Sequence, residues 1–371
     1  MNYSDKIIRA ATIENMADFN GIPDVKLLTD LYKNISAKTI ITGFVYVSEN
    51  GRAMQPRQAG IINETQVKAW AEIAAQVKKN DPQKELIMQL AHTGRQTTRK
   101  NAVGASTVKC TYFKNKVKAL SENEIKTIIT DFKNAALSAQ AAGFDGVQLH
   151  AAHGYLIHQF LSPYTNKRTD KYAQKTLLLK EIIYAVRGAC GHSFKIWLKV
   201  SHGDDRGMNV NHAIEIVKEV APMVDAVEIS YGTMEYPLNI IRGAVPIDVA
   251  LQVNPLFNKY PKWVKSLWKK FVGAKYKNKF FPFTKNYNLA AALEIKKAVK
   301  TPIILTGGVR NAKDIKEILD SGIDKISLCR PFICEPGLMN NFNETWQSAC
   351  TNCNLCAIYC DSENSVKCYK K

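Results

Sequence analysis

The chain has 371 residues, 46% of them apolar, which is enough for a sizeable core in one or two domains. The formal net charge of +18 allows an anionic membrane surface, an acidic substrate or an acidic protein partner, but without a nucleic-acid-binding motif we expect no nucleic-acid partner. The chain has no run of eighteen apolar residues, and its first residues lack the apolar region of a signal peptide, so we expect no transmembrane segment and a cytoplasmic location.

Short apolar segments alternate with amphipathic helical patterns along the chain, which favours a parallel sheet covered by helices. Eight candidate strands are present: Lys6–Ala11, Thr39–Val45, Leu86–Leu90, Gly146–Leu149, Ile196–Val200, Ala226–Ser230, Ile303–Thr306 and Lys325–Leu328. The helical patterns include Thr65–Lys79, Ser121–Ala142 and Lys313–Asp320, the second starting with a Ser121/Glu124 capping box. The sequence predicts an α/β fold, a single (β/α)8 TIM barrel over residues 1–345.

A lysine-rich insertion, at about residues 235–288, follows the sixth predicted strand. Between Val249 and Leu293 there are nine lysines and no Asp or Glu. Apolar residues recur there at helical spacing, which predicts a basic amphipathic helix: Phe257, Tyr260, Val264, Leu267, Trp268 and Phe271. We expect this helix to dock its aromatic stripe onto the barrel with lysines outward. A role at a membrane surface, at an acidic partner or as an active-site lid remains open.

The fourth predicted strand leads directly into a group of polar aromatic side chains. His150, His153 and Tyr155 lie at or just past its carboxyl end, where parallel barrels hold their catalytic residues. Two neutral histidines can both donate hydrogen bonds to one carbonyl or phenolate oxygen, and a nearby tyrosine can supply a proton. We therefore interpret these three residues as catalytic, rather than as a loop whose histidines only bind backbone carbonyls.

This segment also carries a family resemblance. Residues 150–163, His-Ala-Ala-His-Gly-Tyr-Leu-Ile-His-Gln-Phe-Leu-Ser-Pro, together with 166–172, resemble the signature of the Old Yellow Enzyme family of FMN-dependent ene reductases. The resemblance implies that His150 and His153 bind the electron-withdrawing oxygen of an unsaturated small-molecule substrate. It implies that Tyr155 delivers a proton, and that NAD(P)H is a possible reductant.

The same resemblance assigns further residues to the FMN. Gln89, in the segment Gln-Leu-Ala-His-Thr-Gly-Arg, is similar to the flavin-binding glutamine of the family, and Lys199 stands where most relatives carry arginine as the cation beside the ring. The remaining cofactor-binding candidates are Ala10, Ala11, Thr12, Ile13 and Gly43 along the ring, and Gly307, Gly308, Cys329 and Arg330 around the phosphate. Consecutive glycines free backbone amides for an anion, and Arg330 adds charge.

The tail, residues 346–371, contains a cysteine motif. Cys350, Cys353 and Cys356 have C-x2-C-x2-C spacing and Cys368 follows, a pattern typical of iron–sulfur ligation rather than of the two separated pairs of zinc sites. It resembles the motif of the trimethylamine dehydrogenase and dienoyl-CoA reductase branch. We expect a [4Fe–4S] cluster, with zinc or free thiols as alternatives. Because those relatives carry nucleotide-binding domains that this chain lacks, we also hypothesise an acidic electron-transfer protein as partner.

These observations together predict an FMN-dependent oxidoreductase that reduces the activated C=C bond of an α,β-unsaturated carbonyl-type substrate, with NAD(P)H or a protein carrier as donor. An amine dehydrogenase resembling trimethylamine dehydrogenase is the enzymatic alternative. A non-catalytic flavin and iron–sulfur electron-transfer subunit is the alternative from another class. The oligomeric state does not follow from the sequence.

Overall fold

The computed structural model describes residues 3–370 and shows the predicted barrel. Eight parallel strands form it: β1 (Ile7–Arg9), β2 (Thr39–Ile41), β3 (Glu85–Ala91), β4 (Gly146–Ala151), β5 (Lys195–Ser201), β6 (Ala226–Ser230), β7 (Ile303–Thr306) and β8 (Lys325–Leu328). Each strand pairs with the next, and β8 pairs with β1, so the sheet closes on itself. The α/β TIM-barrel prediction is confirmed, with strand ends shifted by a few residues.

Helices cover the outside of the barrel. The longer ones are Val25–Asn34, Glu64–Asn80, Glu122–Ala141, Leu177–Cys190, Val210–Val220, Leu289–Ala298 and Ala312–Asp320. Shorter helices span Leu156–Leu161, Arg330–Cys334 and Leu355–Tyr359, and short strand pairings involve Val45–Tyr46, Val103–Gly104 and Lys118–Ala119. The Ser121/Glu124 capping box is present, because each side chain accepts a hydrogen bond from the other residue's backbone N–H.

The interior of the barrel is filled by an apolar layer below its carboxyl-terminal face. This layer takes one side chain from each of six strands: Ile8, Ile41, Ile87, Trp197, Ala226 and Ile304. Side chains alternate along a strand, so residues two positions further on in β3, β5 and β6 also point inward. Those positions are Gln89, Lys199 and Glu228, and all three are buried. The apolar layer therefore supports a polar one directly above it.

The lysine-rich insertion between β6 and β7 contains the short helices Pro237–Ile241 and Ile247–Val253 and the longer helix Lys262–Lys277, here called the insertion helix. The expected helical run is wrong at its start, because Pro261 caps the insertion helix and leaves Phe257 and Tyr260 outside it. The expected docking of the aromatic stripe is also wrong for Leu267 and Phe271, which are exposed. Within residues 3–370, no helix combines the length and the apolarity needed to cross a membrane.

Candidate active site at the carboxyl ends of the barrel strands

A buried hydrogen-bond network crosses the barrel at the level of Gln89 and Lys199. The Gln89 amide donates to Gln148 Oε1 (2.6 Å), and the Gln148 amide donates to Glu228 Oε2 (2.7 Å). Lys199 Nζ lies 3.1 Å from Glu228 Oε1, to which Ser327 Oγ also donates (2.7 Å). Glu228 thus supplies the counter-charge that a buried lysine requires, and it holds Lys199 at a fixed position.

Gln148 and Glu228 were missed in the sequence, although each carries a signal. Gln148 interrupts the apolar strand β4 and is two residues from His150, so both point to the same face. Glu228 lies in the middle of the apolar strand β6, and in the sheet it is the direct neighbour of Lys199 on β5. A polar residue inside a fully buried strand indicates an interior network, and these two residues orient the predicted Gln89 and Lys199.

The three catalytic candidates lie together at the end of β4, as predicted. The ring centroids of His150 and His153 are 4.9 Å apart, and those of His150 and Tyr155 are 4.7 Å apart. The Ala152 N–H donates to His150 Nδ1 (3.4 Å), which leaves Nε2 of the neutral ring to carry the proton. His153 Nε2 lies 2.8 Å from Ser230 Oγ on β6, so Nδ1 is the nitrogen of His153 that remains for a ligand.

A strained turn sets the direction of these rings. His153 has a φ of +59° and Gly154 a φ of +77°, both in the left-handed region. The His153 N–H donates to Ser201 Oγ on β5 (3.0 Å), which holds this turn in place. A Cβ on Gly154 would lie 2.0 Å from the Gln96 amide nitrogen, and at this positive φ any other residue would be strained. This turn connects β4 to the helix Leu156–Leu161 and positions His153 and Tyr155 at the mouth of the barrel.

Burial determines the protonation states at this site. The pKa of His150 is lowered well below its usual value by burial and by the Lys199 charge, and the pKa of His153 is lowered by burial and by the adjacent His150. Burial also raises the pKa of the Tyr155 phenol, and the charge of Asp361 raises it further. At neutral pH both imidazoles are therefore neutral, and Tyr155 keeps its proton.

These side chains face one large cavity, here called the catalytic cavity. Counted with its open mouth, its empty volume is about 1460 Å³. The predicted residues that line it are Ala11, Thr12, Ile13, Gln89, His150, His153, Tyr155, Lys199, Cys329 and Arg330. The structure thus brings the catalytic candidates and most of the flavin-binding candidates to one space.

Four flavin-binding candidates lie outside that lining. Ala10 is buried in the core, and Gly43 lies tightly against Thr12 and Glu14, where a Cβ would be 2.6 Å from the Thr12 carbonyl oxygen. Gly307 and Gly308 have φ values of +105° and +86°. A Cβ on them would meet the Tyr287 ring at 2.6 Å and the Asn286 backbone nitrogen at 2.4 Å. The segment before helix Leu289–Ala298 therefore packs directly against this glycine pair, and neither glycine lines the catalytic cavity.

Arg330, the candidate for the cofactor phosphate, lines the catalytic cavity and is held by backbone and side-chain oxygens. Its Nη1 donates to the Arg242 carbonyl oxygen (2.8 Å) and to Asn354 Oδ1 (2.7 Å), and its Nη2 donates to the Ile241 carbonyl oxygen. Within residues 3–370 its Nε–H and second Nη2–H have no hydrogen-bond partner. A guanidinium held in this way, with two N–H groups left, fits one phosphate group. The insertion and the tail together therefore position Arg330.

The tail also contributes Asp361, a residue that sequence reasoning did not select. Asp361 lines the catalytic cavity and accepts hydrogen bonds from Gln55 Nε2 (3.0 Å) and Asn254 Nδ2 (2.8 Å). Burial raises its pKa to about 6. No signal in the sequence could have found it, because an aspartate in a polar tail gives no sign of burial.

The tail cysteines do not form a ready metal site. Within residues 3–370, no three His, Cys, Asp or Glu side chains are grouped closely enough to hold a metal ion. Cys368 Sγ lies 3.8 Å from Cys334 Sγ, while burial and the neighbouring thiols raise the pKa of Cys356 to about 12. A ligand set of Cys350, Cys353, Cys356 and Cys368 does not fit this arrangement, so we derive no step through an iron–sulfur cluster.

Comparison with known proteins identifies the family. The model of the NADH:flavin oxidoreductase / NADH oxidase family matches residues 7–274, which is more than half of the chain. The chain belongs to this family. A second model, described as a histidine biosynthesis protein, matches residues 283–368. The X-ray structure of the Old Yellow Enzyme homologue from Zymomonas mobilis superposes with a TM-score of 0.68 at 25% identity, covering 91% of this chain and 88% of that one.

Curated relatives carry names of the same kind. A 4,4'-dithiodibutanoate disulfide reductase from Rhodococcus erythropolis is 30% identical over 251 residues, 65% of this chain and 60% of the relative. An NADPH dehydrogenase from Clostridium acetobutylicum is 34% identical over 253 residues (61% and 74%), and an NADH oxidase from Thermoanaerobacter brockii is 29% identical over 286 residues (74% and 39%). The chain thus spans less than two thirds of the length of the disulfide reductase and of the NADH oxidase.

The recognition of the Old Yellow Enzyme family from the histidine segment is confirmed. The residues of the catalytic cavity fit FMN as the cofactor. Gln89 with its amide and Lys199 with its buried charge would hold the flavin ring, and Arg330 would hold the phosphate.

Proposed function

We propose that this oxidoreductase reduces the activated C=C bond of an α,β-unsaturated carbonyl compound. The observation that carries the proposal is the pair of neutral imidazoles, His150 and His153, beside a protonated Tyr155 in a cavity that also contains Gln89 and Lys199. FMN, when bound, supplies the hydride for the β-carbon. The chain supplies hydrogen bonds to the oxygen and a proton for the α-carbon.

His150 and His153 bind the carbonyl oxygen in this proposal. His150 offers Nε2–H, because its Nδ1 accepts the Ala152 N–H. His153 offers Nδ1–H when its Nε2 accepts from Ser230 Oγ, a hydroxyl that can donate as well as accept. Two fixed donors stabilise negative charge that develops on the oxygen as the β-carbon receives hydride.

Tyr155 is the proton donor. It packs against Phe44, with ring centroids 5.6 Å apart, and its ring lies beside the His150 ring. Its raised pKa keeps the phenol protonated until a carbanion-like α-carbon is formed nearby. Lys199 stays fixed by Glu228, and its positive charge would stabilise negative charge on the cofactor when it is bound.

The electron donor is proposed to be NADH or NADPH, because relatives of this chain are named NADPH dehydrogenase and NADH oxidase. Two alternatives make different predictions. In an amine dehydrogenase, a substrate amine alone would bleach the oxidised flavin. In an electron-transfer subunit, no alkene would be turned over.

The test is anaerobic turnover by the flavin-loaded protein with NADH or NADPH and a cyclic enone, followed by chromatography of the product. We expect the saturated ketone in amounts that match the nicotinamide oxidised. Amine-dependent bleaching of the flavin without enone reduction would contradict the proposal, as would nicotinamide oxidation that leaves the enone unchanged.

A further inference from the structure

The insertion helix has an inner face that closes the catalytic cavity. Trp268 and Tyr276, on this face, line the cavity, and their ring centroids are 5.4 Å apart. Phe280 follows the helix, lines the same cavity and packs edge-to-face on Tyr276 at 5.1 Å. Gly273 is buried at the contact with Ile247 of the preceding short helix. One side of this helix is therefore a wall of the catalytic cavity.

The opposite side of the insertion helix is apolar and exposed. Trp263, Leu267 and Phe271 are four residues apart and share one face, with Ala274 continuing the row. The exposed fractions are 66% for Trp263, 48% for Leu267 and 74% for Phe271. We call these three side chains the exposed stripe. Single exposed apolar residues are common on proteins, but three in line on one helix indicate a binding surface.

Lysines border the exposed stripe. At 100° per residue, Lys270 and Lys277 lie along one edge and Lys275 along the other, and all three are exposed. Within residues 3–370 none of these three lysines has an ion-pair partner. Lys265 and Lys269 face elsewhere, because Lys265 Nζ donates to the Leu251 carbonyl oxygen (2.7 Å) and Lys269 pairs with Asp248 (2.6 Å).

We propose that the insertion helix binds an anionic lipid bilayer through the exposed stripe, and that the catalytic cavity behind it takes a lipophilic unsaturated substrate from that bilayer. Helices that lie in a membrane interface bury Trp, Phe and Leu side chains at the acyl boundary while lysines contact anionic headgroups. The second half of the proposal rests on the proposed ene reduction; the first half does not.

An anionic bilayer fits this surface better than an acidic protein. Two side chains of the exposed stripe are aromatic and 66% and 74% exposed, whereas an electrostatic encounter with a carrier protein would use lysines and would not need an exposed apolar row. Lys265 and Lys269 are engaged within the chain and offer less charge to such a carrier. The apolar lining that Trp268, Tyr276 and Phe280 give the catalytic cavity suits a lipophilic substrate.

Sedimentation of the flavin-loaded protein with vesicles tests the surface. The vesicles are phosphatidylcholine alone, or phosphatidylcholine containing phosphatidylglycerol. The stripe variant is Trp263→Ser/Phe271→Ser, and its matched control is Phe19→Ser/Tyr184→Ser, two comparably exposed aromatics elsewhere. The charge variant is Lys270→Glu/Lys275→Glu, with Lys126→Glu/Lys297→Glu as its control.

We expect binding to the anionic vesicles only, weakened at least about tenfold in the stripe variant because each aromatic loses a buried apolar surface. The charge variant should lose binding, and salt should weaken binding of the wild type. Both controls should bind as the wild type does. Equal binding by stripe variant and control would overturn the proposal, as would failure of the wild type to bind. A dimer in solution that the stripe variant converts to a monomer would also overturn it, by showing that a second copy covers the stripe.

Turnover tests the substrate class separately. With a long-chain enone in anionic vesicles, kcat/KM should fall at least about tenfold in the stripe variant, in proportion to lost binding. With a short water-soluble enone the variant should match the wild type. If only the short enone is reduced, the substrate class is wrong while ene reduction stands. If neither enone is reduced, the proposed function fails, and vesicle binding still decides the role of the helix.

Discussion

Tyr155→Phe separates the proton-donating step from every other part of the reaction. The Tyr155 ring packs on Phe44 and His150, and a phenylalanine ring keeps those contacts. Among residues 3–370 no group hydrogen-bonds to the Tyr155 hydroxyl, so the substitution leaves no buried partner unsatisfied. The free energy of unfolding should therefore change by less than about 1 kcal/mol.

The effect on catalysis should be much larger. Loss of a positioned general acid typically slows a step by about 100- to 10,000-fold, which corresponds to about 3–5 kcal/mol of activation free energy. Stopped-flow absorbance measures the two half-reactions separately. Flavin reduction by nicotinamide should proceed near the wild-type rate, whereas flavin reoxidation by an enone should slow by that factor. Equal slowing of both half-reactions would refute the assignment of Tyr155 as the proton donor.

Three further predictions concern the network, the tail carboxylate and the cysteines. Glu228→Gln leaves Lys199 buried without a counter-charge, so urea denaturation should show a loss of about 3–5 kcal/mol in unfolding free energy, and a change below about 1 kcal/mol would argue against the network. Asp361 has a raised pKa of about 6, so its neutral form stabilises the fold at low pH, and this stability is lost as pH rises through that value. Between about pH 5 and 8 the wild type should lose about 1–2 kcal/mol more than Asp361→Asn, and parallel pH profiles would exclude this role. Because the tail cysteines are not grouped as a ligand set within residues 3–370, anaerobically purified protein should contain less than one iron per chain, and about four irons that are lost in Cys353→Ser would contradict this.

The sequence predicted the barrel and the residues around its mouth well, for a physical reason. Strands buried on both faces are short apolar runs, so each candidate strand was found to within a few residues. Catalytic residues could be predicted equally well where they lie within one segment of the sequence. His150, His153 and Tyr155 are close in sequence, and the strand end places them close in space.

Residues that depend on tertiary contacts could not be predicted. Glu228 is placed next to Lys199 only by the pairing of strands β5 and β6. Asp361 reaches the catalytic cavity only because the tail folds over the barrel mouth. The insertion was misjudged because apolar periodicity shows that a helix is amphipathic without showing which face is covered. Here Trp268 faces the cavity while Phe271 faces outward.

Single turnover in deuterium oxide tests the central claim most directly. The flavin-loaded protein is reduced anaerobically with dithionite and mixed with one equivalent of a cyclic enone. The proposal predicts that the enone reoxidises the flavin and becomes a saturated ketone with deuterium at both the α-carbon and the β-carbon, because dithionite supplies only electrons and both hydrogens then come from solvent. Flavin that remains reduced while the enone is recovered unchanged would contradict ene reduction by this protein.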